Sequence, residues 1–272
     1  MKKSFWPNKD TKKFISMSIN PGNTGATLHN RLFEIYKLNN IYIPLKISTV
    51  KQAKQILKSF DFNGCSLSMP FKESLINSVD KLDYVAKKIG SINTILKKKN
   101  KLIGFNTDYY ASREIIKTQK LLKSYKVMIL GSGGVAKAIL QSFYDLKFKN
   151  ISIACRDEKK FNKIRLNKNF KFVKWEKRNN IKVDIIFNAT PLGMFGKYSN
   201  KIPIKISNQH LPKIIFDLAV NPKGNLLFKT AKRNKIKYVS GLEFSILQGI
   251  RQFEIYNSIK TSDHKLKKIS FF

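Results

Sequence analysis

Short apolar runs separated by amphipathic stretches set the pattern near the start of the chain. Phe14 to Ile19, Ile41 to Leu45, Leu67 to Met69, Ile92 to Leu96 and Leu102 to Phe105 read as strands, and the stretches around 28–38 and 50–60 read as helices. Alternation of this kind is the signature of an α/β fold. A helical segment at 109–124 then opens a second series, with strands expected near 126–130, 150–155, 183–188, 213–218 and 237–240. The last helical stretch, Glu243 to Asn257, repeats apolar side chains at Phe244, Leu247, Ile250 and Phe253, so one of its faces must pack against another element. The chain has 272 residues, too many for one typical domain of about 100–150. We read two α/β domains: a mixed-sheet domain from 1–108, to which 241–272 returns, and a parallel-sheet domain from 109–240.

The second series opens on a recognisable piece of chemistry. Lys126-Val127-Met128-Ile129-Leu130 has the pattern of a buried strand and runs straight into Gly131-Ser132-Gly133-Gly134-Val135-Ala136, followed by the helix-competent Lys137-Ala138-Ile139-Leu140. This is G-x-G-x-x-A between a strand and a helix, the context that a dinucleotide-binding (Rossmann) loop requires. The first glycine permits the tight turn and the second lets backbone approach a pyrophosphate. The small Ala136 lets the helix sit against the sheet. The helix N-terminus adds unpaired N–H groups and positive dipole. After the next strand the chain brings Arg156, with Lys159 and Lys160 beyond it, where an NAD-specific protein usually offers an acidic residue to the ribose. Basic groups there favour the 2′-phosphate of NADP over NAD. Asp157 and Glu158 share the loop, and either could accept from an unphosphorylated ribose instead.

Charge raises a competing idea. The formal net charge is +36, from 53 Lys and Arg against 17 Asp and Glu, which makes a nucleic acid or an anionic membrane a natural suspect. Only seven of those cations are Arg, however, and short lysine runs such as Lys97 to Lys99 and Lys265 to Lys268 are scattered over many segments. A binding face concentrates charge and interleaves Arg with aromatics, so we expect solvated surface and no nucleic-acid or membrane partner. Two cysteines, Cys65 and Cys155, exclude a disulfide framework, and three histidines leave little for a metal site, so none is expected. The N-terminus lacks the apolar core of a signal peptide and no apolar run approaches roughly 20 residues, which predicts a soluble cytoplasmic protein.

Three polar clusters fall at predicted strand ends of the first domain: Ser66-Leu67-Ser68-Met69-Pro70-Phe71-Lys72-Glu73, Ser91-Ile92-Asn93-Thr94, and Asn106-Thr107-Asp108. Reduction of a ketone by NADPH needs a proton for the oxygen as well as a hydride for the carbon. Lys72 could give that proton, with Asp108 orienting the ammonium and Asn93 bonded to substrate hydroxyls. In so basic a chain most lysines are plain surface. Lys72 is distinguished by its place after the Met-Pro-Phe turn, where proline constrains the backbone and can start a helix.

The order Ser68-Met69-Pro70-Phe71-Lys72-Glu73, Ile92-Asn93-Thr94, Asn106-Thr107-Asp108, the glycine loop, Asn188-Ala189-Thr190-Pro191-Leu192-Gly193-Met194, and Gly241 through Leu247-Gln248 resembles the shikimate dehydrogenases across nearly the whole chain. The resemblance implies a substrate domain built from the N-terminal part plus the last helix, a Rossmann NAD(P)-binding domain, and a site in the cleft. It implies that Lys72 and Asp108 are the catalytic pair, that Ser68, Asn93 and Gln248 contact substrate, and that Thr190 and Gly241 lie on the nicotinamide side. It further implies a small cyclic hydroxy acid as substrate, a place in the chorismate route to aromatic amino acids, and a monomer or homodimer. Ser68 and Asn93 have strand-end caps as the alternative, and Gln248 a polar position on the last helix, but their place in the family order favours the functional reading for all three.

Two departures accompany the resemblance. Typical members bind the substrate carboxylate through two serines ahead of a His-Asn pair. Here Asn23 and Gly25 stand at those places, before His29-Asn30. Asn23 still has an amide to donate, whereas Gly25 offers only backbone. After Phe216-Asp217-Leu218, Ala219-Val220 replaces a tyrosine usual near the substrate, which should weaken discrimination among ring hydroxyls. Both changes resemble a divergent shikimate dehydrogenase-like branch. The implied reaction is interconversion of 3-dehydroshikimate and shikimate, or a close analogue, with NADP through a Lys72/Asp108 proton relay. An NAD-dependent quinate/shikimate dehydrogenase is one alternative. A poorly catalytic, cofactor-sensing protein is another, disfavoured by Lys72 and Asp108 and kept open by Asn23 and Gly25.

Overall fold

The computed structural model describes residues 6–206 and 209–266. The chain divides into two compact units, 1–111 with 245–272 and 112–244. The divisions fall inside two helices, α5 (Thr107–Thr118) and α9 (Gly241–Asn257).

The first unit carries a six-stranded mixed sheet. Its strands are β1 (Lys12–Ser18), β2 (Asn40–Lys46), β3 (Gly64–Leu67), β4 (Lys81–Leu82), β5 (Thr94–Lys98) and β6 (Lys101–Phe105), in the order β2-β1-β3-β5-β6-β4. β1 runs parallel to β2 and β3, while β5 is antiparallel to both β3 and β6. Its helices are α1 (Thr24–Ile35), α2 (Val50–Ser59), the short α3 (Phe71–Ser74), α4 (Tyr84–Ile89) and α10 (Asp263–Leu266). Strand periodicity sends alternate residues to opposite faces, so Phe14 joins Leu28, Phe33 and Phe253 on one side while Ile15 and Met17 join Leu67, Phe71 and Ile95 on the other. Each fully buried Phe of this kind stabilises the fold by about 1.5–3 kcal/mol relative to exposure.

The second unit has a wholly parallel sheet: β7 (Val127–Leu130), β8 (Ile151–Cys155), β9 (Lys171–Lys174), β10 (Ile185–Asn188), β11 (Ile214–Asp217) and β12 (Lys237–Ser240), ordered β12-β11-β10-β7-β8-β9. All four residues of β7, β10 and β11 are buried, as a sheet covered on both faces demands. Helices α6 (Gly134–Asp145), α7 (Glu158–Ile164) and α8 (Leu226–Arg233) belong to this unit. The order reverses between β7 and β10, the switch point at which doubly wound sheets of this Rossmann type open a ligand crevice beside the carboxyl ends of their strands.

Three expectations shift. The strand expected at Leu67–Met69 is Gly64–Leu67, because Ser66 is buried and hydrogen-bonded there while Met69 is 50% exposed. The helix expected at 109–124 spans Thr107–Thr118. The strands β4 and β9 were not anticipated: β4 is two residues long, and β9 has a lysine at each end of its four residues. Lys267 and Lys268, from the last lysine run, lie outside the described residues.

Candidate functional site

In the first unit, β1 and β3 end side by side, and the antiparallel β5 begins opposite the end of β3, with Ser66 paired to Thr94. Thr94 is also paired to Phe105, the last residue of β6. One sheet edge therefore collects the segment after β1, the turn after β3, the start of β5 and the start of α5. Asn23, Ser68, Lys72, Asn93 and Asp108 all come from those segments.

Lys72 Nζ lies 2.6 Å from Asp108 Oδ2, with side-chain exposures of 13% and 2%. The pair is held by the strand beside it. Ile92 N donates to Lys72 O at 2.8 Å, and Asn93 Nδ2 donates to Asp108 Oδ1 at 2.9 Å. Asn93 is itself buried and saturated. Its amide also donates to Gln248 Oε1 (3.2 Å), and its Oδ1 accepts from Thr107 N (2.8 Å) and Thr94 Oγ1 (2.8 Å). Thr107 Oγ1 lies within reach of both Asn93 Oδ1 (3.1 Å) and Gln248 Oε1 (3.3 Å). A buried pair of this sort is costly to break, about 3–5 kcal/mol when one partner is removed, because the remaining charge is left without compensation.

Gln248 thus joins the cluster. Asn23 and Ser68 stand apart from it as exposed residues. Asn23 precedes α1 in the cap position without a side-chain bond to the helix. Ser68 follows β3, its N–H donating to Met17 O at 3.1 Å. Gly25 packs near Tyr42, whose hydroxyl a Cβ at that position would meet at 3.4 Å. Thr94 and Thr107 stand inside the polar clusters read from the sequence, which gave neither of them a role.

The glycine loop occupies the carboxyl end of β7. Gly131 has φ +106°, and a Cβ there would meet Ala189 O at 3.1 Å and Thr190 Cγ2 at 3.2 Å. Both the turn and its neighbour thus require glycine. Gly133 differs: its φ is −83°, open to any residue, and a Cβ would have nothing within 4 Å. The loop is therefore bare at the point facing away from the chain. Gly133 is also the cap residue of α6 and has no side chain with which to cap it. Exposed backbone donors at a helix start, with no side chain in front of them, fit a pyrophosphate. Ser132, Gly134 and Val135 are half-buried in the loop, and Ala136 is buried against the sheet.

Other loops at the same edge complete the surroundings. Arg156 is exposed directly after β8. Asp157 is committed elsewhere, its Oδ1 capping α7 by accepting from Lys159 N (2.9 Å) and Lys160 N (3.2 Å). Thr190 donates through Oγ1 to Asn188 Oδ1 at 2.6 Å. Asn188 donates in turn to the buried Asp217 at 2.7 Å. Burial raises the Asp217 carboxyl above its usual range, offset in part by donors from Asn225, Asn188, Ala219 and Tyr238. At Gly241 a Cβ would fall 2.8 Å from Leu218 C and O. A cavity of about 230 Å³ lined by Asn180, Val183, Ile204 and His210 lies at the opposite, amino-terminal edge of this sheet.

Among the described residues no helix is long and apolar enough to cross a membrane, and no group of three or more His, Cys, Asp or Glu side chains is placed to hold a metal ion.

Residues 15–95 match the shikimate dehydrogenase substrate binding domain, and residues 114–225 match the shikimate/quinate 5-dehydrogenase domain. A shikimate dehydrogenase-like protein of Haemophilus influenzae is 30% identical over 97% of both chains. A shikimate dehydrogenase (NADP(+)) of Clostridium perfringens is 31% identical, over 86% of this chain and 87% of its own. The structure of a shikimate dehydrogenase in complex with NADP+ superposes with a TM-score of 0.81 at 26% identity, covering 96% of this chain and 95% of the other.

Proposed function

Because the chain belongs to the shikimate dehydrogenase family, we propose that it is an NADP-dependent oxidoreductase interconverting 3-dehydroshikimate and shikimate, or a close analogue. The observation that carries this reading is the Lys72–Asp108 pair, buried at a sheet edge and locked by Asn93. We assign substrate and proton transfer to the first domain, 1–108 with 241–272, and the dinucleotide to the Rossmann domain, 109–240.

NADPH, when bound, supplies the hydride for the carbonyl carbon. The glycine loop, Gly131 to Ala136, would hold its pyrophosphate, and Arg156 would pair with its 2′-phosphate. Asp157, engaged as the α7 cap, is a poor competitor for a bare ribose, which supports NADP over NAD. Thr190 and Gly241 would line the nicotinamide side.

As the carbonyl gains electrons its oxygen becomes basic, and the Lys72 ammonium gives it a proton. Asp108 holds that ammonium in place and balances its charge. In the oxidation direction neutral Lys72 takes the hydroxyl proton. Ser68 and Gln248 bond ring hydroxyls, and Asn93 keeps the relay in register. Asn23 takes over the acid group in part, with a weaker hold than two serine hydroxyls give. Asn23, Gly25 and Val220 are the reasons for allowing an analogue of shikimate.

Reduction of NADP+ and NAD+ by the purified protein, with shikimate and with quinate, tests the reading. Shikimate with NADP+ is expected to be the best pair. Lys72→Ala should lower kcat by about 100-fold to 10,000-fold, the usual contribution of general acid–base catalysis. Failure to oxidise either acid would remove the substrate assignment, and full activity in Lys72→Ala would remove the relay.

A further inference from the structure

The polar groups beneath Asn93 take no part in the proton relay, yet they form an ordered row. Gln248, Gln252 and Tyr256 recur every four residues on α9 and so stack along one helix face. Gln248 reaches Asn93 at the top of the row. Tyr256 meets Ser66 at the bottom, hydroxyl to hydroxyl at 2.9 Å. Gln252 lies between them and is 3% exposed.

Every polar atom of Gln252 is engaged. Nε2 donates to Asn93 O at 3.2 Å and to Thr94 Oγ1 at 3.0 Å. Oε1 accepts from Ser66 Oγ at 3.1 Å and lies 3.4 Å from His29 Nε2. The chemistry of the partners fixes the orientation of the amide. A backbone carbonyl only accepts, so the NH2 group must face Asn93. The oxygen then faces His29, whose ring proton must sit on Nε2. His29 Nδ1 is buried without a partner, consistent with a ring that carries no second proton.

Asn93 is thereby gripped twice, through its own carbonyl and through Thr94, whose hydroxyl passes its hydrogen to Asn93 Oδ1 at 2.8 Å. The Asn93 amide then holds Asp108, and Asp108 holds Lys72. We propose that Gln252, braced by His29 and Ser66, is a positioning residue of the relay: it fixes Asn93 so that Asp108 stays opposite Lys72. The proposal rests on Lys72 and Asp108 acting as described under Proposed function.

Gln252→Met keeps the length and bulk of the side chain and removes both polar ends. Its kcat is expected to fall roughly tenfold or more, since small misplacements of reacting groups carry large rate penalties. KM for shikimate and the dissociation constant for NADPH should stay near the unmodified values. A readout independent of turnover is the rate at which trinitrobenzenesulfonate modifies Lys72, resolved by peptide mass spectrometry. Loosening the pair should raise that rate several-fold. Thr94→Val, which removes the second grip without changing shape, should move both readouts in the same direction and carries the test if Gln252→Met does not fold. A folded Gln252→Met protein with unmodified kcat and Lys72 labelling would overturn the proposal, as would a fall in melting temperature alone. Should the unmodified protein turn over no shikimate, the assigned function fails, while the labelling comparison still decides the role of Gln252.

Discussion

The glycines of the nucleotide-binding loop differ in what excludes a side chain from them. At Gly131 the chain itself does, through a positive φ and the nearness of Ala189 and Thr190. At Gly133 nothing lies within 4 Å of a Cβ, and the group a side chain there would meet is the pyrophosphate proposed for the loop. The two alanine substitutions should therefore separate folding from binding. Gly131→Ala should lose about 1–2 kcal/mol from the left-handed backbone alone, visible in thermal denaturation. Gly133→Ala should melt with the unmodified protein and yet lose most of its NADPH affinity in a fluorescence titration. His29 provides a second residue-scale test. Burial lowers its pKa from 6.5 to about 4, against a weaker opposing bond from Gln252. An unfolded chain binds a proton on this ring near pH 6.5 and the folded chain only near pH 4, so acid favours unfolding throughout that interval. The stability His29 contributes is complete above pH 6.5 and is lost as the pH falls to 4, a change of about 3 kcal/mol at 1.36 kcal/mol per unit. Urea titrations across this range should show that slope, and His29→Gln should flatten it.

At the scale of elements, the strands that pack apolar side chains on both faces were legible in sequence. β7, β10 and β11 are four-residue runs of large aliphatic and aromatic side chains that end in Leu130, Asn188 and Asp217, and their places follow from composition alone. β3 was not legible in the same way. It has Gly64 and Ser66 in a four-residue strand, and what buries Ser66 is a pair of side chains almost two hundred residues away, Gln252 and Tyr256. Lys72, Asn93 and Asp108 could be picked out because they stand beside turns and strand ends, and Gln248 because it closes the recognisable order of motifs. Gln252 and His29 could not, because a buried polar residue on a helix looks like a surface position until its partners are known. The four-residue spacing from Gln248 to Tyr256 was the one trace of the row in the sequence. Gly241 shows the converse case: the resemblance points to the cofactor, and the backbone of Leu218 excludes a side chain there as well.

For the molecule as a whole, the charge of +36 sets the response to salt. So large an excess of one sign repels itself in the compact state. Raising the ionic strength from about 10 mM to 150 mM shortens the screening length from about 30 Å to 8 Å. The melting temperature should rise over that interval in sodium chloride, and a flat or falling profile would mean that local ion pairs such as Lys13–Asp61 outweigh the long-range repulsion. The edges of the two sheets bear on assembly. In the first unit one edge strand, β2, carries Pro44 within it, and the other, β4, is two residues long. In the second, β9 is flanked by the exposed Lys171 and Lys174, and β12 begins with the exposed Lys237. Proline, brevity and lysine are the devices by which sheet edges refuse a foreign strand. Among the described residues each sheet edge carries one of these devices, so a dimer of this chain is expected to be built from helix faces or loops.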